Sequence, residues 1–448
     1  MSSKEKKYIL LILLHVVIGL IVFFFPPISK PLAALVFLVG LFLIVKNQNK
    51  NHEVLLVSGY IVGSEIFFRM TGGIIIYEFA KYSITIFMLL GMYYSGFSKN
   101  AIPYWIFLVL LIPGILVATE TLNLTTDLRK TISFNISGPI CLGISSIYTY
   151  NKRISLDKLN QVLLSIGLPI ISTSVYVILY TPDLKEALVL GTGSNYNTSG
   201  GFGPNQVATI FGLGMFIFFS RLMLESKTKL LLIVNLIIAF IVTYRGLITF
   251  SRGGMITGFM MIVILLFYLY ISTKGRGKIK LNYIFGFMIL MFFATWSYTS
   301  SKTDGLIEKR YANQDAMGRV KESQFTGREE IFNNEINSFI DNPIFGVGVA
   351  KGAEIRLDMT NEVSLSHNEI SRMIAEHGLF GITALLILLF TPIILFLDNK
   401  QHIFLMCFIV FWLLTINHAA MRLSAAAFVY SLSLLKVHLH EETPLHRK

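Results

Sequence analysis

The sequence predicts an all-α polytopic membrane protein with 12–14 transmembrane helices and one large outer loop that contains short amphipathic helices. Of its 448 residues, 54% are hydrophobic and only 14% are charged, whereas soluble domains carry roughly 25% charged residues. Apolar runs of about 18 or more residues recur along the chain, as membrane-spanning helices require. One long polar stretch, Ser300 to Ser366, interrupts these runs and predicts the loop.

The apolar segments divide the chain into three parts: about eleven helices over 1–299, the large loop with candidate catalytic elements over 300–368, and about three helices over 369–448. The segments 31–45 and 54–68 are short, so twelve spans is the alternative to fourteen. The first segment follows three lysines like a signal peptide, but it lacks a small-residue cleavage site and predicts a helix. The fourteen segments are 8–25, 31–45, 54–68, 74–95, 102–118, 131–149, 161–180, 204–220, 230–244, 254–272, 282–299, 379–397, 402–416 and 420–436.

The net charge of +12 reflects membrane topology rather than a nucleic-acid surface. With the N-terminus inside and alternating spans, most loop lysines and arginines fall in the loops predicted inside, as the positive-inside rule expects. Both termini are then inside, and the large loop is outside. Cys141 and Cys407 lie in apolar segments, which argues against a disulfide.

Several common reaction classes have no motif in this chain. We find no phosphate-binding GxxxxGK[ST] loop, no GxGxxG after a strand, and no histidine or cysteine cluster with metal-ligand spacing. The sequence therefore predicts neither a metal nor any other cofactor.

The large loop contains a predicted amphipathic helix. Thr326-Gly-Arg-Glu329 has the form of a capping box, and apolar residues follow on one helical face until Asn342-Pro343 ends the helix. A helix start with Arg328 beside it favours an anion such as a phosphate. The glycines of IFGVGVAKG, from Gly346 onward, predict a turn where backbone approaches a ligand closely.

The stretch SHNE predicts a second capping box, with Ser366 as N-cap, Glu369 reaching back, and His367 at the first helical position. The positive helix end disfavours imidazolium, so His367 is a candidate proton acceptor. Gly378 is placed to end this short helix before the next span. A structural histidine is the alternative interpretation.

Further arginines fall on the predicted outer side. Arg252 lies in the turn TFSRGG, whose glycines let helices approach closely, although it could also simply extend to the membrane interface. The segment GFGPNQVA, 201–208, leads into a helix as a cap or a ligand loop. Several arginines on one face suit an anionic substrate; the candidates are Arg252, Arg328, Arg245, Arg69 and Arg129.

The order of SRGG, then TGREEIFNNEINSFIDNPIFGVGVAKG, then SHNEISRMIAEHGLFG resembles the O-antigen ligase and O-antigen polymerase family of bacterial inner-membrane proteins, mainly over 200–381. The resemblance implies a donor glycan on undecaprenyl diphosphate, presented on the periplasmic side among membrane lipids. It implies that Arg252 and Arg328 hold the diphosphate, and that His367 deprotonates the acceptor hydroxyl. The acceptor would be lipid A-core for a ligase and a carrier-linked glycan for a polymerase, and we favour the ligase.

Two other classes stay open from sequence alone. A lipid-linked glycan transporter would need buried charges along a path, for which Glu65, Glu78 and Lys81 are available. A peptidoglycan-type glycosyltransferase would use an outer-loop carboxylate, such as Asp304, Asp315 or Glu354, as its base.

Overall fold

The fold was determined as a computed structural model, which describes residues 2–181, 184, 191–321, 328–360 and 366–439. The side chains of Arg276, Lys280, Arg328 and Thr360 lie outside this description.

The described residues are mostly helical, with almost no sheet, which confirms the predicted all-α polytopic fold. Two three-residue strands, β1 (Arg153–Ser155) and β2 (Lys436–His438), form a parallel pair. Two short 3-10 helices are Pro26–Ile28 and Asn197–Ser199. In chain order the α-helices are α1 Ser3–Phe24, α2 Ser29–Asn47, α3 Glu53–Met70, α4 Phe79–Ser95, α5 Ile102–Leu110, α6 Ile112–Thr121, α7 Leu128–Thr149, α8 Leu156–Tyr180, α9 Pro204–Leu224, α10 Lys229–Ile248, α11 Arg252–Ser272, α12 Arg276–Lys302, α13 Leu306–Tyr311, α14 Arg328–Asp341, α15 Lys351–Thr360, α16 Glu369–Asp398, α17 Leu405–His418 and α18 Ser424–Leu432.

Thirteen of the fourteen predicted apolar segments lie mostly on one of these helices or on the pair α5 and α6, whereas only the middle of 420–436 is helical, as the nine-residue α18. Within the described chain, nine helical stretches are long and apolar enough to cross a membrane, and α17 is a shorter apolar helix. Helix α3 has a similar length but carries Glu53, Glu65 and Arg69, so its average composition is more polar. The predicted total of 12–14 spans stays a prediction.

The two ends of the bundle carry different parts of the chain. Near the N-terminus, Glu5 Oε1 accepts a hydrogen bond of 2.8 Å from Thr228 Oγ1, between α9 and α10. Glu225 in the same connection accepts a hydrogen bond of 2.8 Å from Asn160. Asn160 lies shortly after β1, and β1 pairs with β2, which lies near the C-terminus. We call this the termini end; the opposite end, which carries 249–252, 303–321, 328–360, 366–377 and 419–423, is the site end.

Helix α9 lies in the core and packs closely against α11. A Cβ added to Gly212 would stand 2.0 Å from the Gly254 carbonyl oxygen, and one added to Gly258 would stand 2.2 Å from that of Gly212. Only glycine permits this backbone approach. The second glycine of SRGG therefore fixes α11 against the core, as its sequence predicts.

The large loop is partly helical and packs onto the bundle. Helix α14 ends at Asp341, as Asn342-Pro343 predicts, while its predicted N-cap Thr326 lies outside the described residues. Gly346 and Gly348 both have positive φ. A Cβ on Gly346 would meet the Glu376 backbone at 2.5 Å, and one on Gly348 would meet Ala118 N at 2.7 Å. Their close approach is thus to the protein's own helices rather than to space for a ligand.

Candidate functional site

The predicted capping box at SHNE is wrong in register. Helix α16 begins at Glu369, and Asn368 is its N-cap, with Oδ1 accepting from Ile370 N at 2.9 Å. Ser366 instead accepts from Asn368 N at 3.2 Å, which shapes the turn before the helix. The asparagine stands nearer the helix and is as good a cap as serine. His367 therefore precedes the N-cap and is not the first helical residue.

His367 is held at the site end through its backbone. Its carbonyl oxygen accepts a hydrogen bond of 3.0 Å from Ala420 N, in the turn between α17 and α18. The preceding carbonyl, of Ser366, accepts one of 2.7 Å from Arg422 Nη2 in the same turn. The turn at 419–422 thus fixes the half-buried His367 against the bundle.

Arg252, the first residue of α11, lies near the end of α17 that precedes this turn. A Cβ on Gly253 would stand 2.6 Å from the ring of His418, the last residue of α17. Ser251 donates a hydrogen bond of 2.7 Å to Asn205, which joins SRGG to GPNQVA. Arg252 and His367 therefore both lie beside the connection between α17 and α18, although they are far apart in sequence.

Two basic residues that sequence reasoning missed accompany Arg252. Arg310 donates a hydrogen bond of 2.8 Å from Nε to the Phe250 carbonyl oxygen, in the turn before Arg252. Burial lowers the pKa of Lys321, and the positive charges of Arg310 and Arg252 lower it further, against an opposing effect of Asp315. We call Arg252, Arg310 and Lys321 the cationic group. Their shared sign makes the position attractive to an anion.

An apolar cavity of about 1020 Å³ begins beside the cationic group. Tyr311 lines the cavity and also feels the charges of Arg252 and Arg310, while burial raises its pKa to about 12. Its ring contacts Trp296 with centroids 5.1 Å apart. Wall residues such as Phe259 and Phe292 are also 44% and 47% exposed on the side of the bundle, so the cavity lies at the membrane-facing surface. Helices α9, α10, α11 and α12 form its walls.

The remaining predicted arginines have different surroundings. Arg69 pairs with Glu65 at 2.9 Å and Glu78 at 3.5 Å. Arg129 is exposed near the start of α7. Arg245 is buried over the ring of Tyr244, and its Nε and Nη1 have no hydrogen-bond partner within the described part of the chain. Arg328 is the first residue of α14, and its side chain lies outside the description.

A buried carboxylate ties the large loop to α16. Glu335 on α14 pairs with Arg356 on α15 at 3.2 Å and accepts a hydrogen bond of 2.6 Å from Ser371 Oγ. Burial raises the pKa of Glu335. On α16, Glu376 accepts a hydrogen bond of 2.9 Å from Ala350 N. Sequence periodicity gave no signal for this network, because its members come from three separate helices.

Among the described residues, no group of three or more histidine, cysteine, aspartate or glutamate side chains could hold a metal ion. Two of the three acids proposed from sequence as an alternative base form ion pairs. Asp315 pairs with Arg319 at 2.8 Å, and Glu354 pairs with Lys351 at 2.8 Å. Glu354 also accepts a hydrogen bond of 2.6 Å from Thr126.

Comparison with known proteins gives one family match. Residues 237–386 match the family described as O-antigen ligase, which covers about a third of the chain and includes the cationic group and His367. A search of the curated proteins found no match. The match supports a glycosyltransferase-like activity of ligase or polymerase type, with a lipid-linked glycan and a lipid acceptor as partners in general. Residues 237–386 of this multi-pass membrane protein are therefore similar to the O-antigen ligase family.

Proposed function

We propose that the protein transfers a glycan from undecaprenyl diphosphate to a hydroxyl of lipid A-core on the periplasmic face of the bacterial inner membrane. The observation that carries the proposal is the position of the cationic group beside the apolar cavity. A lipid diphosphate has an anionic head, which the cationic group would bind, and a long apolar tail, which the cavity would hold. The tail would lie in the cavity among Phe259, Phe292 and Trp296.

The cations supply what the leaving group needs. As the bond between the anomeric carbon and the diphosphate oxygen breaks, its electron pair stays on the diphosphate and negative charge grows there. Arg252 and Arg310, placed near this head group, would stabilise the charge in the transition state. Arg328 at the start of α14 would add a further contact.

His367 would act on the acceptor. The acceptor oxygen forms the new bond to the anomeric carbon while its proton passes to the imidazole of His367, so that charge and atoms balance. Attack opposite the diphosphate inverts the anomeric centre. General bases of this kind contribute about 10²–10⁴-fold to rate.

The structure supports the alternative of a transporter less well. The buried charges Glu78 and Lys81 pair at 2.7 Å, and Glu65 pairs with Arg69 in the same cluster. These partners form a closed set near the site end rather than a series along a path through the bundle. The ion pairs of Asp315 and Glu354 likewise make these two acids less suited to the role of a base.

A deletion strain tests the function. Loss of a ligase leaves carrier-linked polymer together with bare core lipopolysaccharide on a gel. Loss of a polymerase, which shares this chemistry, leaves core with a single repeat unit. An unchanged lipopolysaccharide ladder would contradict both.

A further inference from the structure

A second, smaller cavity lies on the other side of the turn that holds His367. It measures about 40 Å³ and lies between α7, α15, α16 and the turn at 419–422. Its polar walls include Lys81, Asn135, Arg356, Glu369, Arg372 and Arg422. Buried ionisable groups are costly to desolvate, and within a membrane protein they mark a candidate functional site.

The charges around this cavity are of both signs. Lys81 is paired with Glu78 at 2.7 Å, and Arg356 with Glu335 at 3.2 Å. Arg372 is paired with Glu369. A phosphate entering here would meet carboxylates as well as cations. Sugar hydroxyls both donate and accept hydrogen bonds, so a mixed wall of carboxylates, guanidiniums and an amide suits a carbohydrate better than an anion.

One wall atom lacks a partner. Arg372 Nη1 donates to Asn135 Oδ1 at 2.7 Å, and Nη2 contacts Glu369, but the buried Nε has no hydrogen-bond partner within the described residues. A buried donor left without an acceptor is destabilising. An oxygen of a bound ligand would satisfy it.

The cavity also adjoins the proposed base. Ser366 and Ala420 both line it. Ser366 directly precedes His367, and Ala420 N donates the hydrogen bond to the His367 carbonyl oxygen. A ligand in the cavity would therefore lie next to the backbone that holds His367, away from the apolar cavity that α9 to α12 enclose.

We propose that this cavity is the acceptor subsite, and that it holds a hydroxyl-bearing edge of the sugar that receives the glycan. Its volume suits a few water-sized groups, such as a hydroxymethyl and a neighbouring hydroxyl, rather than a whole ring. The inference rests on the proposed transferase function and adds where the acceptor binds. Lys81 and Asn135 precede the matched segment 237–386 and Arg422 follows it, so parts of the chain on both sides of that segment contribute to acceptor choice.

Filling the cavity tests the inference without altering a charge. Ala353 lines it from α15, and Ala353→Leu would occupy much of its volume. The matched control is Leu357→Phe, which adds bulk on an exposed position of the same helix. Transfer by purified full-length protein is measured against donor and acceptor concentration, with lipid A-core and carrier-linked repeat unit as two separate acceptors. We expect Ala353→Leu to raise the acceptor KM at least about tenfold, the loss expected for one hydrogen bond to a charged group, with donor KM unchanged.

A second variant covers the case in which Ala353→Leu does not fold. Arg372→Lys keeps the positive charge beside Glu369 but removes Nε, and it should also raise the acceptor KM. Unchanged acceptor KM in a folded variant, or a rise in donor KM instead, would overturn the inference. If the parent protein transfers glycan to neither acceptor, the proposed function itself fails, which is a different result.

Discussion

At the residue scale, the imidazole of His367 is the group on which the proposed proton transfer depends. His367→Gln keeps a side chain of similar reach that can hydrogen bond, but it accepts no proton at neutral pH. We therefore expect transfer to fall about 10²–10⁴-fold while binding of undecaprenyl diphosphate is kept. His438→Gln, in β2 at the termini end, controls for the loss of a histidine. Transfer at the parent rate by His367→Gln would make His367 a positioning residue.

We predict that Lys321 makes both stability and donor binding depend on pH, because burial and two neighbouring arginines lower its pKa below the ordinary 10.5. Between the folded pKa and 10.5, the unfolded chain binds more protons than the native one, so the free energy of unfolding should rise with pH. Binding of undecaprenyl diphosphate should weaken over the same window, since the native lysine loses its charge.

Lys321→Arg separates these two effects, because arginine stays charged. The alkaline loss of undecaprenyl diphosphate binding should move to higher pH in this variant, and the gain in thermal stability should vanish. Parallel pH curves for parent and variant would show that Lys321 does not contact the head group.

Individual site residues were only partly predictable. Arg252 and His367 could be proposed because each lies in a short distinctive motif next to a span, and their roles stay predictions. Arg310 and Lys321 lie in a polar loop without periodicity, and only the folded chain shows that they join Arg252. The pairing of Arg69 with Glu78 likewise depends on how α3 and α4 meet, which no local pattern specifies.

At the scale of elements, the break within α16 positions the loop that carries the candidate site. Gly378 has φ +59 and ψ −137, and an added Cβ would stand 2.6 Å from the Pro343 and Ile344 carbonyl oxygens. Gly378→Ala should therefore destabilise the protein by about 1–3 kcal/mol and reduce transfer, by displacing the loop that precedes His367. Thermal unfolding in detergent measures the change.

Gly286→Ala in α12 is the matched control, because nothing lies within 4 Å of its added Cβ. Alanine is the better helix former, so this variant should be neutral or slightly stabilising. Equal thermal midpoints for the two variants would contradict the structural role of the break.

Helix α16 also shows which features of a helix the capping rules predict and which they do not. Sequence patterning correctly placed a helix start near His367 and a break at Gly378. It chose Ser366 as N-cap because the serine and Glu369 have capping-box spacing, and it overlooked that Asn368 is itself a strong cap. The choice among neighbouring caps is decided by the incoming chain, here fixed by Arg422 and Ala420.

At the scale of the whole molecule, hydropathy predicted where the helices lie but not which of them meet. Thirteen of the fourteen apolar segments are mostly helical, as expected where a bilayer requires backbone hydrogen bonds within each segment. The acceptor cavity joins Lys81, Asn135 and Arg422, which no periodicity links. Such contacts follow from packing between distant helices, and a single sequence carries no direct record of them.

Orientation is the remaining property of the whole molecule that a single experiment can test. Basic residues such as Lys46, Lys50 and Lys152 concentrate in connections at the termini end, which the positive-inside rule places in the cytoplasm. The site end would then face the periplasm, where a carrier-linked glycan is presented. Ser301→Cys introduces an exposed thiol at the site end, and both native cysteines are buried and should stay unlabelled. We expect an impermeant thiol reagent to label this variant in cells with only the outer membrane permeabilised, and to label the matched Lys50→Cys variant only after inner-membrane lysis. The reverse pattern would place the site end in the cytoplasm, away from the proposed donor.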